Sequence, residues 1–131
     1  MILDKTLLDK LSDQAKENVR LRMNYNLHDS LESKSQRLFN ALEPGTFLPI
    51  HRHVHSSETY ILIRGSLSVT LFDDEMKVIE YADLSLTTNN FGIQIPANTW
   101  HEVVVNESGT VIFEVKDGPY TPLSSSDIME K

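Results

Sequence analysis

The sequence predicts an all-β fold preceded by one α-helix. Two observations carry this. The residues up to about Val19 repeat their apolar positions at helical spacing, and from Val19 onward apolar and polar residues alternate one by one. Strand-length segments then follow at intervals of roughly ten residues, each bounded by turn residues, the spacing of a β-sandwich or barrel.

The helix is expected from Asp4 to about Val19. Leu7, Leu8, Leu11, Ala15 and Val19 form one stripe, and Asp4 is a candidate N-cap. In VRLRMNYNLH the period becomes two. Val19, Leu21, Met23, Tyr25 and Leu27 form the apolar face, and Arg20, Arg22, Asn24, Asn26 and His28 the polar one. DSLESKS reads as a polar loop, QRLFNAL as a second strand, and Pro44-Gly45 as a turn. The later strands are FLPIHRH, ETYILI, SLSVTLF, KVIEY, GIQIP, HEVVV and TVIFEVK, stopped by Asp117-Gly118-Pro119. The tail SSSDIMEK is expected to be loose, or a short helix begun at Ser126. The division is one domain over 1–131, with the helix over about 1–19, the barrel over 20–120 and the tail over 121–131.

Composition narrows function. A net charge of −7 argues against nucleic acid as the main partner, because phosphate binding needs a basic surface. The absence of cysteine excludes disulfides, thiol nucleophiles and sulfur-held metals, so any metal must be bound through nitrogen and oxygen. The opening MILDKTLLDKL is broken by charges and lacks the apolar core of a signal peptide. No run approaches the ~18 apolar residues of a membrane span, and the compartment expected is the cytoplasm.

Three of the five histidines, His51, His53 and His55, alternate within GTFLPIHRHVHSSETYILIRG. On a strand, His51 and His53 share one face, roughly 6–7 Å apart. A turn over Val54 to Ser57 would return Glu58 on the neighbouring strand, level with them. Two imidazoles and a carboxylate match a nitrogen–oxygen metal site better than a core histidine does. A fourth ligand comes from His101, after the Pro96 to Thr99 turn, or from its rival His28. His55 falls in the turn and is expected in solvent.

The spacing of Gly45, His51, His53, Glu58 and Gly65 resembles the first motif of the cupin family. Gly92, Pro96 and His101 resemble the second motif, with Asn98 at a left-handed turn position where the family has glycine. The segments RLRMNYNLHDS, QRLFNALEPGTF, FDD and EVKDGPY are similar to one branch, the WbuC-type cupin fold metalloproteins, over about Arg20 to Tyr120. The resemblance implies a cupin double-stranded β-helix, or jelly-roll barrel. It implies one divalent metal (zinc, iron, manganese or nickel) held by His51, His53, Glu58 and His101.

Members of that branch are associated with O-antigen and other surface-polysaccharide gene clusters, so the ligand expected is a small carbohydrate. Asn24, Asn26, His28, Arg37, Tyr60 and Lys116 are the candidate ligand-binding residues. Two classes of function follow. One is a metal enzyme, a sugar isomerase or epimerase or an iron-dependent oxygenase, with no catalytic residue assigned. The other is a sugar-binding or sensing module without chemistry. Cupin barrels commonly pair, and a homodimer is expected.

Overall fold

The computed structural model describes residues 1–129. Asp4 caps α1 (Lys5–Glu17) as expected, its side chain accepting the Leu7 N–H at 3.0 Å. The helix stops two residues short of the expected end. Asn18 is extended and Leu21 adopts φ 57°, so Val19 falls in the turn that reverses the chain and is 96% exposed rather than on the apolar stripe.

Ten strands follow: β1 (Arg22–Asn26), β2 (Ser35–Leu42), β3 (Ile50–His51), β4 (Glu58–Arg64), β5 (Ser66–Phe72), β6 (Val78–Ser85), β7 (Gly92–Ile95), β8 (Trp100–Val105), β9 (Thr110–Asp117) and β10 (Ile128–Met129). They form two five-stranded sheets, ordered β1-β2-β9-β4-β7 and β10-β3-β8-β5-β6, and the strand pairings are antiparallel. The sheets face each other across Leu42, Tyr60, Leu62, Leu67, Val69, Leu71, Leu84, Ile93, Ile95, Val103, Val105 and Ile112. Burial alternates along β5 because only one of its faces meets this core.

β2 breaks that alternation for a physical reason. Leu38 and Leu42 point inward, while Phe39 and Ala41 point outward under α1, where they meet Leu11, Ala15 and Val111. Fully burying a leucine such as Leu11 contributes about 1.5–3 kcal/mol. Arg64 pins the same junction, donating to Asp9 Oδ1 at 2.6 Å and Ser12 Oγ at 2.9 Å.

Two expectations are corrected. The FLPIHRH strand contracts to Ile50–His51, because Pro49 has no N–H for a ladder and Phe47 and Leu48 lie outside it. The tail is not loose: a 3-10 turn at Ser125–Asp127 leads into β10, which pairs Ile128 with His51 and Met129 with Ile50. Arg52 anchors it, its N–H donating to Asp127 O at 3.0 Å and its Nε to Asp127 Oδ1 at 3.0 Å. Residues 130 and 131 of the expected tail lie outside the described residues. Among the described residues no helix is long and apolar enough to cross a membrane.

Candidate metal centre

Four side chains converge between the sheets. β3 supplies His51, whose ladder partner on β8 is His101. Their rings lie 4.2 Å apart between centroids. His53 follows β3 with its ring edge-on to His51 at 5.1 Å. Glu58 opens β4. Alternation alone places it on the strand neighbouring His51, but β4 belongs to the other sheet, so the carboxylate faces the imidazoles from across the barrel. Asn98 turns the chain before His101 at φ 60° and donates its N–H to His53 O at 2.7 Å, which ties the two ligand loops together.

The potential ligand atoms of His51, His53, Glu58 and His101 all lie within 4.8 Å of one another. Two of the imidazoles are fixed in orientation. His51 Nδ1 lies 2.8 Å from Pro49 O and His101 Nδ1 lies 3.0 Å from Thr99 O. A carbonyl only accepts, so Nδ1 carries the proton in each ring and Nε2 presents a lone pair to the centre. Glu58 Oε1 and His101 Nε2 are buried 3.5 Å apart without a hydrogen-bond donor between them. Two lone pairs facing each other out of water require a cation or a proton between them. His53 Nε2 lies 2.9 Å from Glu58 Oε1 and supplies one only in a form that carries its proton on Nε2.

Electrostatics agree with ligand-ready imidazoles. Burial, then the neighbouring His101, lowers the His51 pKa to about 4, and burial likewise lowers that of His101. Burial pushes the Glu58 carboxyl up, but the His53 hydrogen bond and the charges of His53 and His101 outweigh it and hold it below its usual range. Imidazoles whose protonation is disfavoured, as at His51 and His101, beside a carboxylate that favours its ionised form suit a divalent ion that accepts nitrogen and oxygen. Donor atoms about 2.0–2.2 Å from a central ion would lie about 3–4.5 Å from each other, and the two donor distances to Glu58 Oε1, 2.9 Å from His53 and 3.5 Å from His101, are of that order.

A cavity of about 370 Å³ opens beside the cluster. Of the six residues expected to bind ligand, Asn24, Tyr60 and Lys116 line it. Asn26, His28 and Arg37 do not. Asn26 is exposed. His28, the rival ligand, is buried away from the cluster, where its Nδ1 accepts the Arg37 N–H at 3.1 Å. Arg37 is exposed and donates to Ser35 Oγ. His55 is exposed on a separate cleft of about 290 Å³ that shares His53, Lys116 and Leu123 with the metal cavity. Trp100 packs under Arg52, whose guanidinium sits 4.4 Å from its ring centre.

Sequence reasoning missed three residues of the wall, Arg22, Asn40 and Glu114. Glu114 is 8% exposed, and burial followed by the Glu58 charge raises its pKa to about 7, against the opposing Asn40 amide bond of 2.9 Å. Its signal in the sequence is its place two residues from Ile112 on β9, which fixes it on the inner face once that face is known.

The family model described as "Domain of unknown function (DUF6016)" matches residues 3–84. No curated protein matches the chain. Solved structures share its fold at low identity. KdgF from Halomonas sp. is 15% identical with a TM-score of 0.60, over 76% of this chain and 82% of that one. Oxalate decarboxylase from Bacillus subtilis is 18% identical at 0.59, over 83% of this chain and 27% of that one. The cupin domain of Schizosaccharomyces pombe Cnp3 is 9% identical at 0.58, over 73% of this chain and 64% of that one. The architecture is the cupin jelly-roll fold with an added N-terminal helix.

Proposed function

The chain belongs to the family of that domain of unknown function, and we propose that it is a metal-binding cupin that takes one divalent ion through His51, His53, Glu58 and His101 and acts on a small carbohydrate-type ligand. The observation that carries the reading is the convergence of the His51, His53, Glu58 and His101 donor atoms within 4.8 Å of one another, with Glu58 Oε1 and His101 Nε2 buried 3.5 Å apart. Two further facts support it: Pro49 and Thr99 carbonyls orient two imidazoles, and the similar oxalate decarboxylase fold holds Mn(II) centres. The carbohydrate rests on the resemblance of RLRMNYNLHDS, QRLFNALEPGTF and EVKDGPY to the WbuC-type branch and its surface-polysaccharide association. We further propose a homodimer.

A divalent ion there would act as a Lewis acid on a ligand oxygen. The chain's own residues do the rest. His51 and His101 offer Nε2 because their Nδ1 protons are held by carbonyls. Tyr60, 4% exposed, walls the cavity beside His101 at 6.5 Å between ring centroids. Glu114, whose pKa burial and the Glu58 charge raise to about 7 in the metal-free site, is the cavity-wall carboxyl placed to take or give a proton. That carboxyl favours chemistry over passive binding and fits isomerisation or epimerisation, which need a proton moved at carbon.

Elemental analysis of protein purified without added metal tests the site. About one ion per chain is expected in wild type and in His55→Ala, and most of it should be lost in His51→Ala and His101→Ala. Metal lost in His55→Ala but kept in His101→Ala would overturn the ligand set.

A further inference from the structure

We propose that the ligand of this cavity is a small hydroxylated anion, with Lys116 as its charge anchor and Asn40 as a hydroxyl acceptor. The inference rests on the metal-binding reading above and goes on to name the chemical class of what binds beside it.

The cavity departs in charge balance from the rest of the molecule. The chain carries a net charge of −7, whereas this wall balances two cations, Arg22 and Lys116, against two carboxylates, Glu58 and Glu114, so a bound divalent ion makes it positive. Among the described residues neither has a carboxylate within 4 Å. Arg22 spends one nitrogen on neutral oxygens, donating to Phe47 O at 2.8 Å and Thr46 Oγ1 at 3.4 Å, and keeps its charge uncompensated. Lys116 is the ladder partner of Glu58, which sets it beside the metal ligands, and its ammonium lies 5.8 Å from the centre of the Tyr120 ring. It is half-buried on the wall shared by the metal cavity and the outer cleft, so an anion entering from either meets it.

A divalent ion held by neutral imidazoles and one carboxylate leaves surplus positive charge. Lys116 and Arg22 add to it, and among the cavity-lining residues Glu114 opposes. In a partly desolvated cleft that charge favours a ligand bearing carboxylate or phosphate.

Asn40 supplies the second requirement. Its amide nitrogen donates to Glu114 Oε1 at 2.9 Å, while its Oδ1 is buried without a partner on the same cavity wall. A buried acceptor left unsatisfied costs about 1–3 kcal/mol, and a ligand hydroxyl is the donor that would fill it. The cavity therefore reads a ligand with a hydroxyl and an anionic group on a short carbon frame.

The test titrates purified protein calorimetrically with matched probes: D-gluconate against D-glucitol, and glucose 6-phosphate against glucose. Metal content is measured on the same samples. Gluconate or glucose 6-phosphate is expected to bind at least about tenfold more tightly than its neutral partner, and which one does so identifies the anion. Lys116→Gln should weaken the anion about tenfold with metal content unchanged, because the ammonium is a ligand contact and not a metal ligand. Glu114→Gln should tighten the anion, since it removes opposing charge. Equal binding of charged and neutral probes, or full anion affinity in Lys116→Gln, overturns the inference whatever the metal content. Absence of metal from wild-type protein overturns the metal reading instead, and the Lys116 dependence is still read on that protein.

Discussion

His51 and His101 are ladder partners on β3 and β8, and their rings stand 4.2 Å apart with both Nδ1 atoms turned away to backbone carbonyls. The pair therefore forms half of the proposed metal site on one sheet, and Glu58 faces it from the other. An ion binding there crosslinks the two sheets. Metal held at about a thousand times its dissociation constant stabilises the fold by about 4 kcal/mol, or roughly 15 °C in Tm. Chelation should lower wild-type Tm by that order, and His101→Ala should show no chelator-dependent shift. A wild-type Tm indifferent to chelator would contradict the crosslink.

The buried Glu114 gives the metal-free protein a specific pH dependence. Its folded pKa, about 7, is raised above the ordinary carboxyl value of 4.5. Below pH 4.5 both folded and unfolded chains hold the proton, and the group is neutral to stability. As pH climbs toward 7 the unfolded chain releases the proton first, so stability is lost across that window and stays low above it. Glu114→Gln keeps the shape and the Asn40 contact without the charge. It should be more stable than wild type by about 2–3 kcal/mol at pH 8 and near equal at pH 4, measured by urea denaturation after chelation. A gap of the same size at both pH values would show that the carboxyl is not strained by burial.

The site was more legible in the sequence than the wall around it, for a geometric reason. His51, His53 and Glu58 lie within eight residues, and their donor types are enough to mark a nitrogen–oxygen site. Local alternation could not show that β3 and β4 part into different sheets, because sheet membership depends on distant pairings such as His51 with His101 and Glu58 with Lys116. Glu114 was invisible as an acid for the same reason: an inward glutamate beside Lys116 reads as half of an ion pair until the cavity between them is seen. β10 escaped because its two residues are specified by the Arg52–Asp127 contact and not by any pattern of their own.

Gly65 is expected to be intolerant of any side chain. It sits between β4 and β5 at φ +85°, where L residues are strained. A Cβ there would overlap Thr110 Oγ1 and come within 2.5 Å of Thr110 Cα, and Thr110 is fully buried with its hydroxyl accepting the Ser66 N–H at 3.1 Å. Left-handed strain and overpacking together cost about 2–5 kcal/mol. Gly65→Ala should show that loss in chemical denaturation. Gly109→Ala is the matched comparison, with similar φ of +81° and open space around its Cβ, and should lose only the strain.

The proposed homodimer has a direct check. Helix α1 buries Leu11 and Ala15 on its own sheet, so that stripe is already used within the chain. Exposed apolar side chains remain on the edge strand β6, at Val78, Ile79 and Tyr81. Open edges of this kind favour pairing. Light scattering at micromolar concentration should return twice the 14.9 kDa chain mass, and a single-chain mass would sink the dimer.

Asp127 should act as the latch of the C-terminal segment. Its carboxylate receives the Arg52 Nε at 3.0 Å, and its carbonyl receives the Arg52 N–H at 3.0 Å. Beyond it, among the described residues, β10 pairs with β3 through Ile128 and Met129. Leu123 and Ile128 from this segment line the metal cavity, so releasing it would open one wall. Asp127→Ala removes the side-chain bonds from Arg52 Nε and Ser124 Oγ and leaves the backbone bond possible. Hydrogen exchange should quicken at residues 124–129 and at Arg52, while the α1 amides, which pack on the other sheet, keep their protection. Thermal stability should change little, because the barrel core does not depend on the segment. Exchange at residues 124–129 that is unchanged in Asp127→Ala would mean that the β3–β10 ladder holds the wall without the latch.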